Sequence, residues 1–210
     1  MLKLLALFLL LASGSLAHAD LCKMKPQDFQ EKIKVVENRM GFNNGGGFFN
    51  AGVCWWHSRF QRSAIYLAEF KPEGIRPDLF ETQRIINHLV QMDKAVVISG
   101  FRNLYEFSDY NSELIQQALE RWQRRDSFVN QVWFRGLMGF TRVPAARLQR
   151  IMERTFREVN EEKRIVFHRL QQFGIPSHAW LVSTIERTAT GFELGVIDSN
   201  YPLVTRKFTY

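Results

Sequence analysis

The sequence predicts an α+β fold in which helices come first and an antiparallel sheet comes last. Three observations predict it: apolar residues recur at helical spacing through residues 26–173, two β-rich segments flank a glycine-ended turn near residue 190, and a glycine run at 45–47 separates the first two helices. The chain has 210 residues, 46% of them hydrophobic, enough to bury a sizeable core. This composition excludes a disordered or collagen-like chain, and two cysteines are too few for a disulfide scaffold.

The surface charge is basic but names no partner. Lysine and arginine number 28 against 21 acidic residues, a formal net charge of +7. Basic residues cluster around Trp122, at Arg121, Arg124 and Arg125, as they do in some nucleic-acid interfaces. Acidic residues are interleaved with the basic ones along the neighbouring helices, which is typical of a solvated face with ion pairs. We therefore expect no nucleic-acid partner.

The first 19 residues resemble a secretory signal peptide. Lys3 supplies the positive start, residues 4–12 are nine consecutive apolar residues, and Ala17 and Ala19 are the small residues that a signal peptidase reads. A membrane anchor needs about 20 apolar residues, more than any stretch here contains. We expect cleavage after Ala19, export to the periplasm or the extracellular space, no stable membrane insertion, and a single domain over residues 20–210.

Helical periodicity accounts for most of the chain before residue 174. Helical patterns cover residues 26–38, 54–70, 77–92, 112–124 and 144–173, the last as one bent helix or two consecutive helices. The second helix should bury the residues spaced by four, four and three, namely Trp56, Phe60, Ala64 and Leu67. The third should turn four residues inward, namely Leu79, Ile85, Ile86 and Leu89. Residues 95–99 form the one short strand predicted among these helices.

The sheet is predicted from the last fifth of the chain. Residues 179–185 and 192–197 are β-rich and joined by 188–191, a turn sequence ending in Gly191, so they form an antiparallel hairpin. Residues 204–210 can add a third strand. His178 begins the first hairpin strand and Asp198 follows the second, so the hairpin should place these two side chains next to each other.

An isolated cysteine at the start of a long helix suggests thiol chemistry. The first N–H groups of a helix lack partners and its dipole favours an anion, so Cys54 at that position would be held toward the thiolate, the nucleophilic form. A thiolate nucleophile needs an imidazole within reach, and the imidazole needs an acceptor for its second nitrogen. His178 and Asp198 can supply these groups.

These residues resemble the papain-like cysteine peptidases. In residues 52–58 (GVCWWHS), a glycine two before the cysteine, a tryptophan after it and a serine four after it match the nucleophile segment of that family. The pair His178-Ala179 is similar to its His-Ala pair, and residues 198–201 (DSNY) resemble its orienting segment, which bacterial branches begin with Asp. The 124 residues from Cys54 to His178 and the 144 to Asp198 lie close to the spacing of roughly 130–150 in papain-type enzymes.

The resemblance implies a papain-like fold with the nucleophile at the head of a central helix, in a bacterial secreted branch with the order Cys-His-Asp. It implies a cysteine peptidase, an amidase or a transglutaminase-like acyl transferase acting on a peptide or protein, with Cys54, His178 and Asp198 as the catalytic residues. The family's oxyanion glutamine, six residues before the nucleophile, is Phe48 here. Asn50 is the expected replacement, with Asn44 behind it, and the N–H of Cys54 is the second donor.

Three alternatives stay open. Cys54 could pair with Cys22 in an oxidising compartment, which would make the protein a non-catalytic exported binding domain on the same fold. Asn200 could orient His178 in place of Asp198. His57 forms a Cys-x-x-His pair with Cys54, but no second close pair of ligands accompanies it. We therefore expect no metal and no cofactor, and the sequence leaves the oligomeric state open.

Overall fold

The computed structural model describes residues 21, 23–47, 53–130, 142–171 and 177–210. The predicted signal peptide and Cys22 lie outside these residues. The described helices are α1 (Pro26–Lys34), a 3-10 turn (Val36–Asn38), α2 (Cys54–Leu67), α3 (Leu79–Gln91), α4 (Leu104–Tyr110), α5 (Ser112–Asn130) and α6 (Ala145–Asn160). The strands are β1 (Ala68–Lys71), β2 (Val96–Ser99), β3 (Val166–Gln171), β4 (Ser177–Arg187), β5 (Phe192–Asp198) and β6 (Thr205–Thr209). The predicted α+β class is confirmed.

The main sheet is antiparallel and four-stranded, in the order β3-β4-β5-β6. The predicted hairpin is β4–β5, in which Trp180 lies opposite Asp198, and the predicted third strand is β6. The helical prediction for 144–173 is wrong after Asn160, because the chain turns and returns as β3 along β4. Val166, Phe167 and Leu170 pack with the sheet's cores, so tertiary contacts outweigh the local helical pattern.

A second, parallel sheet was not predicted. The helix expected to reach Phe70 ends at Leu67, and residues from Ala68 pair with β2, Ala68 opposite Val96. Helix α3 provides the crossover between these strands, as parallel pairing requires. Its N-cap Asp78 accepts a hydrogen bond from the N–H of Glu81. The next residue, Leu79, is exposed rather than inward, because the first turn extends past the core.

Helix α2 lies between the two halves of the structure. Its face with Trp56, Phe60 and Ala64 packs into a core formed with α3, α5 and both strands of the parallel sheet. Ile65 packs on the other side, in a core that includes Leu181 of β4. The residues at the start of α2 are therefore fixed relative to both the helical half and the antiparallel sheet.

No helix in the described part of the chain has both the length and the apolar character needed to cross a bilayer.

Candidate active site

Cys54 is the first residue of α2. The preceding residue, Val53, has a non-helical backbone and a side chain that cannot cap the helix. Its own N–H donates to Oδ1 of Asn44 over 2.6 Å. Cys54 is buried, with 6% of its surface exposed. No disulfide joins it to a cysteine among the described residues.

The β4–β5 hairpin brings His178 and Asp198 into contact. Nε2 of His178 lies 2.9 Å from Oδ1 of Asp198. The same carboxylate oxygen accepts the backbone N–H of Asn200 over 2.8 Å. The ring of Trp180 stands edge-on to that of His178, with 6.1 Å between centroids. The carboxylate and the indole thus restrict how the imidazole can rotate.

The imidazole of His178 also hydrogen-bonds to the side chain of Cys54. Since Nε2 faces Asp198, Nδ1 is the nitrogen left for the sulfur. Hydrogen bonds to Asp198 and to Cys54 raise the pKa of His178 from 6.5 to about 9, against the opposing effect of burial. His178 is therefore an imidazolium at neutral pH, hydrogen-bonded to both Asp198 and Cys54.

Asp198 remains ionised although it is largely buried. Burial by itself raises the pKa of this carboxyl, but the hydrogen bonds from His178 and from the N–H of Asn200, with the charges of His178 and Arg206, outweigh burial and bring the pKa below its usual value. A permanent negative charge behind the imidazole stabilises its protonated form. Among the described residues, Cys54, His178 and Asp198 thus form one chain of side-chain contacts.

One further contact holds the nucleophile helix against the sheet. Oγ of Ser58, one turn after Cys54, donates to the carbonyl of Ala179 over 3.2 Å. That carbonyl belongs to the residue following His178. The serine is part of the segment that resembles the papain family, and this hydrogen bond gives it a structural role.

Asn44 connects two segments of the site, the start of α2 and the turn after β5, a role the sequence did not reveal. Its backbone N–H donates to the carbonyl of Ser199 and its Nδ2 to Oδ1 of Asn200, each over 2.8 Å. Its Oδ1 accepts the N–H of Val53. The amide considered as a reserve oxyanion donor thus serves mainly to join the start of α2 to the turn after β5. Its place in a glycine-rich loop just before the nucleophile is the only sequence signal for this role.

Replacing Asn44 should loosen the site. Asn44→Ala removes two side-chain hydrogen bonds, so we expect the free energy of unfolding to fall by about 1–2 kcal/mol. Asn44→Asp keeps the acceptor for Val53 and should lose less. Denaturant unfolding measures the effect, and the exposed neighbour change Asn43→Ala is the control. Equal values for both alanine variants would contradict this role.

The remaining candidate positions lie either outside the described residues or beside the site. Asn50 and Phe48 lie outside the described residues. Asn200 lies beside the site but supports Asp198 through its backbone N–H and bonds Asn44 through its side chain. The side chain that contacts His178 is that of Asp198.

His57 is a buried neutral histidine beside the site. Its side chain is fully buried, with Nε2 3.0 Å from the carbonyl of Phe42. Burial lowers its pKa from 6.5 to about 4. Two other histidines have partners elsewhere: His88 contacts Asp93, and His168 contacts Thr155. Within the described ranges no three or more His, Cys, Asp or Glu side chains group as a metal site would require.

Burial of neutral His57 should make the protein sensitive to acid. The unfolded chain protonates this ring near pH 6.5 and the folded chain near pH 4, so stability should fall as the pH drops between these values, by up to about 3 kcal/mol. His168, whose pKa burial also lowers, adds in the same direction. His57→Gln keeps a donor for Phe42 but cannot titrate there. Urea unfolding from pH 7 to 4 should show a shallower decline for this variant, and an unchanged slope would contradict the assignment.

Comparison with known proteins adds no relative: no family model, no curated protein and no solved structure matches this chain. The likeness to papain-like enzymes therefore rests on the residues themselves and on the arrangement of Cys54, His178 and Asp198.

Proposed function

We propose that this protein is a thiol hydrolase or acyl transferase that attacks an amide bond through a thioester on Cys54. The observation that carries the proposal is the contact chain from the Cys54 side chain to His178 and from His178 to Asp198. A thiol, an imidazole and a carboxylate in this order are the components of a nucleophilic relay. The N-terminus of a helix such as α2 is also where the helix dipole favours a negative charge.

The first half of the reaction forms the thioester. The Cys54 sulfur attacks the amide carbonyl carbon, and the carbonyl oxygen becomes an oxyanion. The backbone N–H of Cys54 is a candidate donor to that oxygen. His178, protonated at neutral pH, gives its proton to the leaving nitrogen as the C–N bond breaks. Asp198 stabilises the imidazolium before this transfer and holds the ring in place.

The second half releases the acyl group. His178, now neutral, removes a proton from water or from an acceptor amine, which attacks the thioester carbonyl. The C–S bond breaks, sulfur leaves as a thiolate, and His178 is an imidazolium again. Water gives a carboxylic acid and an amine gives a new amide. Both outcomes use the same residues and the same proton transfers.

The papain-like fold belongs to the same proposal. A helix headed by the nucleophile, packed against an antiparallel sheet that carries the base and the carboxylate, supports it. We propose a peptide or protein substrate, and export through the signal-like residues 1–19, as the residue patterns suggest. No cofactor is needed for the chemistry described.

The pH dependence of alkylation tests the relay. Iodoacetamide reacts with thiolates, and an ordinary cysteine is only a few per cent thiolate at pH 7. Paired with the His178 imidazolium, Cys54 should react about 10-fold faster at pH 7 than in His178→Gln. Because the pKa of His178 is raised to about 9, the two rates should converge as the pH rises through that value. Mass spectrometry of Cys54 gives the rates.

His168→Gln is the matched control, since this histidine is partly buried on β3 but contacts Thr155 instead of the site. It should alkylate like the wild type. Equal rates for wild type and His178→Gln at pH 7 would overturn the relay. Failure of native Cys54 to react, with reaction only after reduction, would instead support the Cys22–Cys54 disulfide and a non-catalytic binding domain.

A further inference from the structure

A small cavity lies between α2 and β3, and one of its lining residues, Trp55, follows the proposed nucleophile in the chain. Its volume is about 180 Å³, the size of a side chain rather than of a large ligand. It is lined by Trp55, Arg59, Arg62, Met92 and Phe167. Two of these five side chains are cationic and none is acidic.

The cavity lining contains hydrogen-bond donors whose capacity is unused. Nε1 of Trp55 and Nε of Arg59 are both buried, and neither has a hydrogen-bond partner among the described residues. Both atoms can only donate. Buried donors are usually paired, and those left unpaired call for an explanation. An acceptor bound in the cavity would supply one.

The surroundings favour an acceptor that is negatively charged. Nε of Arg62 donates to the carbonyl of Ile165 over 2.9 Å, which fixes this guanidinium at the cavity wall. The guanidinium of Arg169 lies over the ring of Trp55, 5.0 Å from its centroid. Planar guanidinium groups pair well with carboxylates. The rings of Trp55 and Phe167, 4.7 Å apart and edge to face, provide an apolar wall.

The cavity is adjacent to the site along two chain segments. Trp55 directly follows Cys54. On the other side, Arg169 of β3 lies opposite Ala179 of β4, which directly follows His178. The chain segments around the cavity thus continue directly into the nucleophile and the base.

We propose that this cavity is a subsite for a carboxylate-bearing side chain or terminus of the peptide substrate, with an apolar part lying against Trp55 and Phe167. That the bound group belongs to a substrate rests on the proposed function. The binding of the anion itself does not depend on catalysis, so the two can fail separately.

The binding test uses the Cys54→Ala protein and two probes of the same shape, phenylacetate and its neutral analogue phenylacetamide. Phenylacetate should bind about 10-fold more tightly and shift the indole N–H resonance of Trp55. Arg59→Gln should remove that preference. Arg150→Gln, an exposed change on α6, should keep it. If the Cys54→Ala protein, with its cavity residues unchanged, binds the two probes equally, the inference is overturned. An ordered water would then be the partner of the two donors.

The catalytic test compares pairs of peptides that differ only by Glu against Gln at one position near the cleaved bond. At one position, the Glu peptide should have a kcat/KM about 10-fold higher, and the advantage should vanish in Arg59→Gln and shrink in Arg62→Gln. Turnover without any preference for Glu would overturn the subsite and leave the proposed function standing. Absence of all turnover, with phenylacetate still bound selectively, would overturn the function and leave the anion site.

Discussion

Replacing Cys54 by alanine should abolish hydrolysis of fluorescein-labelled casein or of a peptide-amide library, by about 10³-fold or more relative to the wild type. The sulfur is the atom that forms the covalent bond, so nothing else in the contact chain can substitute for it. Cys54→Ser keeps the size of the side chain but places a hydroxyl, far less acidic than a thiol, beside the imidazolium, and should be nearly as inactive.

The fold should survive this change. The Cys54 side chain is small, and the hydrogen bond between His178 and Asp198 remains after its removal. The free energy of unfolding should therefore differ from the wild-type value by no more than about 1 kcal/mol. Circular dichroism and urea unfolding establish this alongside the activity assay. A folded Cys54→Ala protein with full activity on the same substrate would refute the thioester mechanism.

Replacing Asp198 by asparagine should lower kcat about 10²–10⁴-fold. Asparagine can still accept the N–H of Asn200, so the turn after β5 should keep its shape. The negative charge behind His178 is lost, however, and the hydrogen bond to that carboxylate is the main cause of the raised pKa of His178. The imidazolium should then lose its proton at a lower pH.

The pH profile distinguishes this effect from a structural one. In the wild type, kcat/KM should decline as the pH rises through about 9, where His178 loses the proton that the leaving nitrogen needs. In Asp198→Asn the decline should begin at lower pH. Glu193→Gln, a change in another β5 carboxylate that pairs with Lys207, should leave the profile unchanged. A lower kcat with an unmoved alkaline decline would show that Asp198 acts only on the fold.

The sequence predicted the elements whose patterns are local. Trp56, Phe60 and Ala64 recur at helical spacing, and all three are buried on one face of α2. The turn ending at Gly191 predicted the hairpin, and the hairpin in turn predicted that His178 and Asp198 would meet. In these segments the local pattern and the tertiary structure require the same conformation.

The elements that sequence analysis missed depend on partners far away in the chain. Residues 68–71 are a strand because β2 lies beside them, and 166–171 because β4 does. Residues 166–171 do not alternate clearly between apolar and polar residues, and the alternation at 68–71 covers only four residues. Asn44 shows the same limit at the site, because its three hydrogen bonds reach Val53, Ser199 and Asn200 across a folded structure. The short helix α4 escaped because seven residues are too few for periodicity to show.

The separation of the site's two halves along the chain has a consequence for folding. The bond from Asn44 to Asn200 joins residues 156 positions apart, and closing such a long loop is slow and comes late when contacts of this kind dominate. Ribosomes deliver Cys54 well before His178 and Asp198. Until β4 and β5 have paired and docked on α2, the thiol has no contact with the imidazole. Under the proposed mechanism, a partly folded chain should therefore be inert, and activity should begin only once the whole domain has formed.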